Sequence, residues 1–359
     1  MSRKLSLALG AILSFFIATT AATELKVRAD YPEVYIVKKG DTLWDISELF
    51  LSTPWLWPQL WQANPQVDNP HLIYPGDRLY LTFVNGQPRL SKKKVIKMSP
   101  QVRAEPHLSA IPAIPLSVIE PFLKREQVVS QAQYNAMPYV LGTNDGNTRA
   151  YQGQLMYGKG EIENAGRYGI YHAEQELRRF GEPEVLGLRM SLIAVADASQ
   201  HDDLIALTII KGNQEIRQGD RIMPLLPAEN LSVSYMPQAP VTPIAGHVIA
   251  THDNLEYFAA HDVVVIDRGR EDGVKPGHTM AVYQLGKGVV DDENAPVYVE
   301  DTSHYEKLEG MVINVGKLEL PSVPRGHVMV FRTFDKVSYA LVMRAQQQLQ
   351  VFDEVRTAQ

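Results

Sequence analysis

Apolar and polar positions near the N-terminus change period in a fixed order. Val34-Tyr35-Ile36-Val37 is rich in β-formers, which predicts a strand. Gly40-Asp41 is a turn signal. Leu43, Ile46 and Phe50 fall at i, i+3 and i+7, one apolar face of a helix. Thr42 can cap that helix, with Asp45 three residues on completing an acidic capping box. Thr53-Pro54 opens a second helix, since proline is tolerated at the first position. Leu56, Leu60 and Trp61 supply its buried face, and Asn64-Pro65 ends it. Pro75-Gly76 suits a type II turn. Arg78 to Leu81 is a second strand that can pair antiparallel with the first. The predicted order over residues 31–82 is β-α-α-β.

The pattern then changes. Residues 83–116 read as a connector, with Lys92, Lys93, Lys94, Lys97 and Arg103 followed by Pro100, Pro106, Pro112 and Pro115. Its lysines read as a solvated linker, with loose attraction to anionic polymers as the alternative. Ser117 to Gln131 is helical in pattern, with Val118, Ile119, Phe122 and Leu123 apolar. Short β-type runs follow: Met190 to Val195, Leu204 to Ile210, Val263 to Ile266, Thr279 to Tyr283 and Val328 to Phe331. Asp291-Asp292-Glu293-Asn294 reads as an exposed hairpin loop. Ala206 to Ile222 and Ala340 to Val355 share an order of strand, polar stretch and Asp-led strand, a weak repeat with chance similarity as the alternative. The expected fold class is α+β: a small βααβ module, a proline-containing linker, and a mostly β region of two barrel- or sandwich-like modules. A helix and the first β module occupy 117–240, and the second β module 241–359.

Composition narrows the function. The 359 residues are 45% hydrophobic and 21% charged, ordinary globular values. A net charge of −6 offers no basic field to hold nucleic acid. Arg3 and Lys4 precede the apolar Leu5 to Ile17 and the small residues Thr19 to Thr23, so residues 1–22 read as a signal peptide, with a retained anchor as the alternative. The absence of cysteine removes disulfides, thiol enzymes and lipoprotein acylation. On these readings the mature protein is expected to be soluble, outside the cytoplasm and held in place by binding.

The spacing Tyr35-x-Val37-x-x-Gly40-Asp41-Thr42-Leu43-Trp44-x-Ile46, then Asn64-Pro65, then Ile73-Tyr74-Pro75-Gly76-Asp77-x-Leu79, resembles a LysM domain from end to end. It departs from the family at Leu51 to Pro58, which is longer and more aromatic than usual. The resemblance implies binding of N-acetylglucosamine-containing glycans in a shallow groove. Gly40, Asp41, Thr42 and Leu43 would form one wall and Asn69, Pro70, His71, Leu72 and Ile73 the other. Loop backbone matches the amide of an N-acetyl group, and Leu43 and Ile73 would meet its methyl. Leu43, Ile46 and Ile73 also read as core, and Asp41 and Thr42 as turn and cap. Trp44, Trp55, Trp57 and Trp61 read as core filling or as a sugar-stacking platform.

No catalytic residue, metal ligand set or cofactor is expected. The histidines contain no His-x-His and no His-Glu-x-x-His. His247, His252 and His261, near Asp253 and Asp262, come closest to a cluster. No Gly-x-Ser-x-Gly or Ser-x-x-Lys occurs. Val263 to Tyr283 places two strands around a turn in which Gly269, Gly273 and Gly277 are expected at positive φ. This stretch resembles the C-terminal β domain of flagellar T-ring proteins. With a signal peptide, LysM and proline-rich linker before it, the order of parts is similar to that of type IV pilus secretin-associated proteins. That likeness implies a non-catalytic adaptor between peptidoglycan and an outer-membrane secretin, with a homo-oligomeric ring as a further expectation. A LysM-targeted wall-remodelling enzyme or hydrolase regulator is the alternative.

Overall fold

The computed structural model describes residues 25–62, 73–92, 112–146, 152–212, 214–225, 235–290, 296–299 and 317–358. The signal-peptide reading, Asn64-Pro65, groove residues Asn69 to Leu72, the basic run beyond Lys92 and the Asp291–Asn294 loop lie outside them. The class is α+β: a small helical module near the N-terminus, then sheets.

Strand β1 (Tyr35–Ile36) leads to α1 (Leu43–Phe50), a 3-10 turn at Pro54–Leu56, α2 (Trp57–Gln62) and β2 (Arg78–Val84). β1 pairs antiparallel with β2, Tyr35 opposite Leu79. Both halves of the capping box are present: the Asp45 amide donates to Thr42 Oγ1 and the Thr42 amide to Asp45 Oδ2, each at 3.1 Å. All four tryptophans are buried, so they fill the core and form no exposed stacking platform.

The connector is more ordered than its composition predicts. β2 runs through Val84, and β3 (Gln87–Lys92) returns along it with Leu81 opposite Leu90. Asn85 (φ 52°) and Gly86 (φ 78°) make the turn, the two-residue hairpin chemistry that positive φ at both positions requires. Pro88 and Leu90 are buried, and Lys92 pairs with Asp77 at 2.6 Å. The expected helix over 117–131 is also divided. α3 (Leu116–Arg125) gives way to β4 (Glu126–Val129), and α4 (Gln131–Ala136) follows under its own Ser130–Gln133 capping box. The β-branched Val128-Val129 pair against β8 (Val185–His201), and sheet pairing overrides the local helical pattern.

Next come β5 (Tyr139–Gly142), β6 (Leu155–Lys159), β7 (Gly166–Arg178), β8, β9 (Leu204–Gly212) and β10 (Arg221–Pro224). The order β8-β7-β10-β5-β6-β9 returns to β8 through the β8–β9 pairing, so these strands close a ring, with β4 added to β8. Ile170, Ala194, Ala196, Ile205, Leu207 and Ile222 are among the residues of its core.

The second ring contains β11 (Ala245–Thr251), β13 (Val263–Ile266), β14 (Thr279–Gln284), β18 (Val323–Thr333), β19 (Ser338–Ala345) and β21 (Glu354–Thr357). It is a closed barrel of order β11-β13-β19-β18-β14-β21. Short strands β12 (Tyr257–Phe258) and β20 (Leu349–Gln350) pair with each other, and β15 (Gly288–Val290), β16 (Val297–Tyr298) and β17 (Lys317–Glu319) form a small sheet between β14 and β18. Gly273 and Gly277 take positive φ (80° and 92°) as expected, but Gly269 is extended at φ −129°. Glycine is needed there for proximity: a Cβ would stand 2.3 Å from the Asp335 carbonyl oxygen.

Strand alternation explains how the barrel joins the helical module. Val264, Ile266, Val328, Val330, Ala340 and Val342 belong to the barrel's inner cluster. Their neighbours Val263, Val265, Met329, Phe331, Tyr339 and Leu341 join a second cluster with Trp44, Trp55, Phe50, Ile119 and Phe122. The unbroken apolar run Val263 to Ile266 is thus covered on both faces, which is why it lacks polar alternation. Polar contacts follow the same seam. Arg344 Nε lies 3.0 Å from Glu48 Oε1, and the His327 ring is 4.4 Å from the Trp55 ring.

The two rings are pinned by Arg189 of β8, whose side chain is 1% exposed. It donates to the Thr251 carbonyl and to Asn254 Oδ1, both at 2.9 Å, and lies 3.3 Å from Glu174. Arg332 donates to the carbonyls of Phe122 and Glu126, tying α3 and β4 to the barrel.

Replacing Arg189 with alanine leaves a cavity and removes the charged donor of the Thr251 carbonyl, which keeps only a 3.4 Å bond from the Asn254 amide. A loss of about 3 kcal/mol is expected in urea unfolding, whereas a change within about 0.5 kcal/mol would show that the arginine does not clamp the rings. Burial, with Arg344 nearby, lowers the His327 pKa from 6.5 to about 4. The unfolded chain therefore binds the extra proton first. The His327 contribution is full above pH 6.5 and is lost as pH falls toward 4, by at most about 3 kcal/mol. Melting curves across that window should slope less in His327→Phe than in the parent; equal slopes would contradict the assignment.

Candidate functional site

Two turns of one kind stand at the paired ends of β1 and β2. In Lys38-Lys39-Gly40-Asp41, Gly40 has φ 100°, the Asp41 amide donates to the Lys38 carbonyl at 3.3 Å, and the Lys38 amide donates to Asp41 Oδ2 at 2.8 Å. In Tyr74-Pro75-Gly76-Asp77 the same bonds are 3.0 and 2.9 Å, with Gly76 at φ 96°. The Gly76 amide donates to the Val37 carbonyl and the Val37 amide to the Asp77 carbonyl, so the turns are joined.

The device recurs in the rings at Arg217–Asp220, Ala259–Asp262 and Gln350–Asp353, where the first amide again donates to the closing carboxylate. At Lys275–His278 the acceptor is the histidine Nδ1. Each time the third residue has positive φ: Gly219, His261, Phe352 and Gly277. The carboxylate satisfies an amide that the turn leaves unpaired. Asp41 thus holds backbone shape, and it also accepts a 2.8 Å bond from the Tyr35 hydroxyl. Burial of the phenol, then this bond, push the Tyr35 pKa up to about 12.

The structure separates the expected groove residues by role. Gly40 is exposed and Asp41 partly so. Thr42 is buried as the helix cap. The Leu43 and Ile73 side chains, 0% and 1% exposed, are core, so neither can meet an acetyl methyl. The backbone at the start of α1 also has partners. Here the Leu43 and Trp44 amides donate to the carbonyls of Pro112 (3.0 Å) and Ala113 (3.3 Å). Sequence reasoning assigned no role to this segment beyond connection. Its only signal was Pro112-Ala113-Ile114-Pro115, an apolar run amid polar sequence.

The histidines that came nearest to a metal cluster have separate partners. His247 lies 3.8 Å from Asp267, His252 lies 3.0 Å from Glu126, and the His261 amide donates to the Val342 carbonyl. Glu126 raises the His252 pKa. Among the described residues, no group of three acidic or histidine side chains is placed to hold a metal.

Residues 35–82 match the LysM domain family. LysM is a binding module for peptidoglycan glycan strands and N-acetylglucosamine, with no catalytic role. Over 58 residues the chain is 36% identical to the uncharacterized protein YqbP of Bacillus subtilis (strain 168). That match covers 13% of this chain and 26% of YqbP, so the chain spans about a quarter of the relative's length.

Removing the Asp41 carboxylate tests its place in the turn. In Asp41→Ala, the Tyr35 phenol should ionise at lower pH than in the parent, yet above the ordinary value of about 10, because burial remains. Ultraviolet titration against a Tyr35→Phe reference reads this, and an unmoved Tyr35 transition would remove Asp41 from the account.

Proposed function

We propose that the chain is an exported, non-catalytic peptidoglycan-binding adaptor of the Gram-negative periplasm. Its LysM module takes N-acetylglucosamine-containing strands between the 40–43 and 69–73 loops. Its two β rings carry a protein partner, an outer-membrane secretin or similar envelope ring. The observation that carries the first half is the pair of joined Gly-Asp turns within the stretch matching LysM. The second half is supported by the seam that fastens the module to the barrel. A module that shares its core with the barrel transmits force from wall to partner without a loose tether. Copies of the chain forming a ring would multiply a weak contact along the polymer.

A single module of this size should bind weakly, with a Kd between about micromolar and millimolar, since each hydrogen bond contributes only about 1 kcal/mol net. Full-length protein should co-pellet with purified murein sacculi and be released by millimolar N-acetylglucosamine oligomers. Protein that stays in the supernatant at saturating sacculi would overturn the glycan assignment. Crosslinking in envelopes should recover an outer-membrane ring protein; repeated recovery without one would overturn the adaptor half alone.

A further inference from the structure

The first turn of a helix carries amides that the helix itself cannot satisfy. In α1, Thr42 takes the Asp45 amide. The Leu43 and Trp44 amides are taken by Pro112 and Ala113, carbonyls from beyond the third strand. Ala113 and Ile114 are buried there, Ile114 to 1% exposure, and join the core cluster containing Leu43 and Trp44. The segment therefore sits against the end of α1 that the first glycan wall includes.

The chemistry of this contact matches that of the glycan. A peptide carbonyl and the carbonyl of an N-acetyl group are the same amide acceptor. We infer that Pro112–Ile114 is a built-in competitor: it occupies the Leu43 and Trp44 amides at the α1 end of the 40–43 wall, and N-acetylglucosamine strands bind there by displacing it. This rests on the glycan-binding reading above.

Several features suit the segment to the task. Pro112 and Pro115 restrict its backbone, so it loses little freedom on docking. Its tether keeps it at high effective concentration beside the wall. It is continuous with α3, whose Ile119 and Phe122 lie in the cluster shared with the barrel. Occupancy of the wall is therefore linked to the seating of α3. A closed state of this kind lowers apparent affinity by the fraction of molecules that are open.

The test uses the full chain and an N-acetylglucosamine tetramer. Calorimetric titration of Ile114→Ser, which loosens the segment, should give binding about tenfold tighter than the parent. Equal affinity would overturn the competition. A second readout needs no variant. Hydroxyl-radical labelling of Ile114 should be low in the free parent and rise when the tetramer is bound. Unchanged labelling at saturation would also overturn the competition, while leaving glycan binding in place. Failure of both chains to bind the tetramer would overturn the glycan reading itself, and the competition with it.

Discussion

One apolar cluster crosses the boundary between the helical module and the barrel, and the placement of everything else follows from it. A chain segment as short as 31–82, without metal or disulfide, has little interior of its own. Here its tryptophans and Phe50 continue into Ile114, Ile119 and Phe122, then into Val263, Val265, Phe331 and Tyr339 on the outside of the barrel. The barrel is a two-sided wall, with Val264 and Ile266 facing its own interior and their neighbours facing the module. Ala113 and Ile114, at the end of the proline-containing stretch, are themselves part of this seam.

Around that seam, polar groups fix orientation. Arg332 reaches the carbonyls that end α3, Arg189 reaches across to the β11 end, and Arg344 meets Glu48 of α1. Arginine suits such positions because one planar group can satisfy several acceptors at once. The recurring turn closed by Asp41, Asp77, Asp220, Asp262 and Asp353 does the same work at strand ends. In the LysM stretch it sets the backbone of the two joined turns, and the Leu43 and Ile73 side chains beside them serve the core.

Much of the module was legible because its signals are local. The Thr42–Asp45 box, the Pro75-Gly76 turn and the helical face of Leu43, Ile46 and Phe50 each involve residues within one or two turns of chain. The β3 hairpin was equally local, but lysines and prolines around Asn85-Gly86 read as a linker and hid it. The break at Glu126 was not legible, since the competing interaction is a strand more than fifty residues away, Glu126 opposite Ser191. The docking of Pro112 and Ala113 on α1 belongs to the same class. It depends on what lies across the seam, and no periodicity in either partner encodes the other.

The most direct measurement is amide nitrogen relaxation on the full-length protein, compared between residues of α1 and β2 and those of β13 and β19. A shared core requires one rotational correlation time for both sets, that of the whole body. A distinctly faster time for the α1 and β2 amides would mean that the module tumbles on a tether, and the account of a wall-binding module fused rigidly to its barrel would fail.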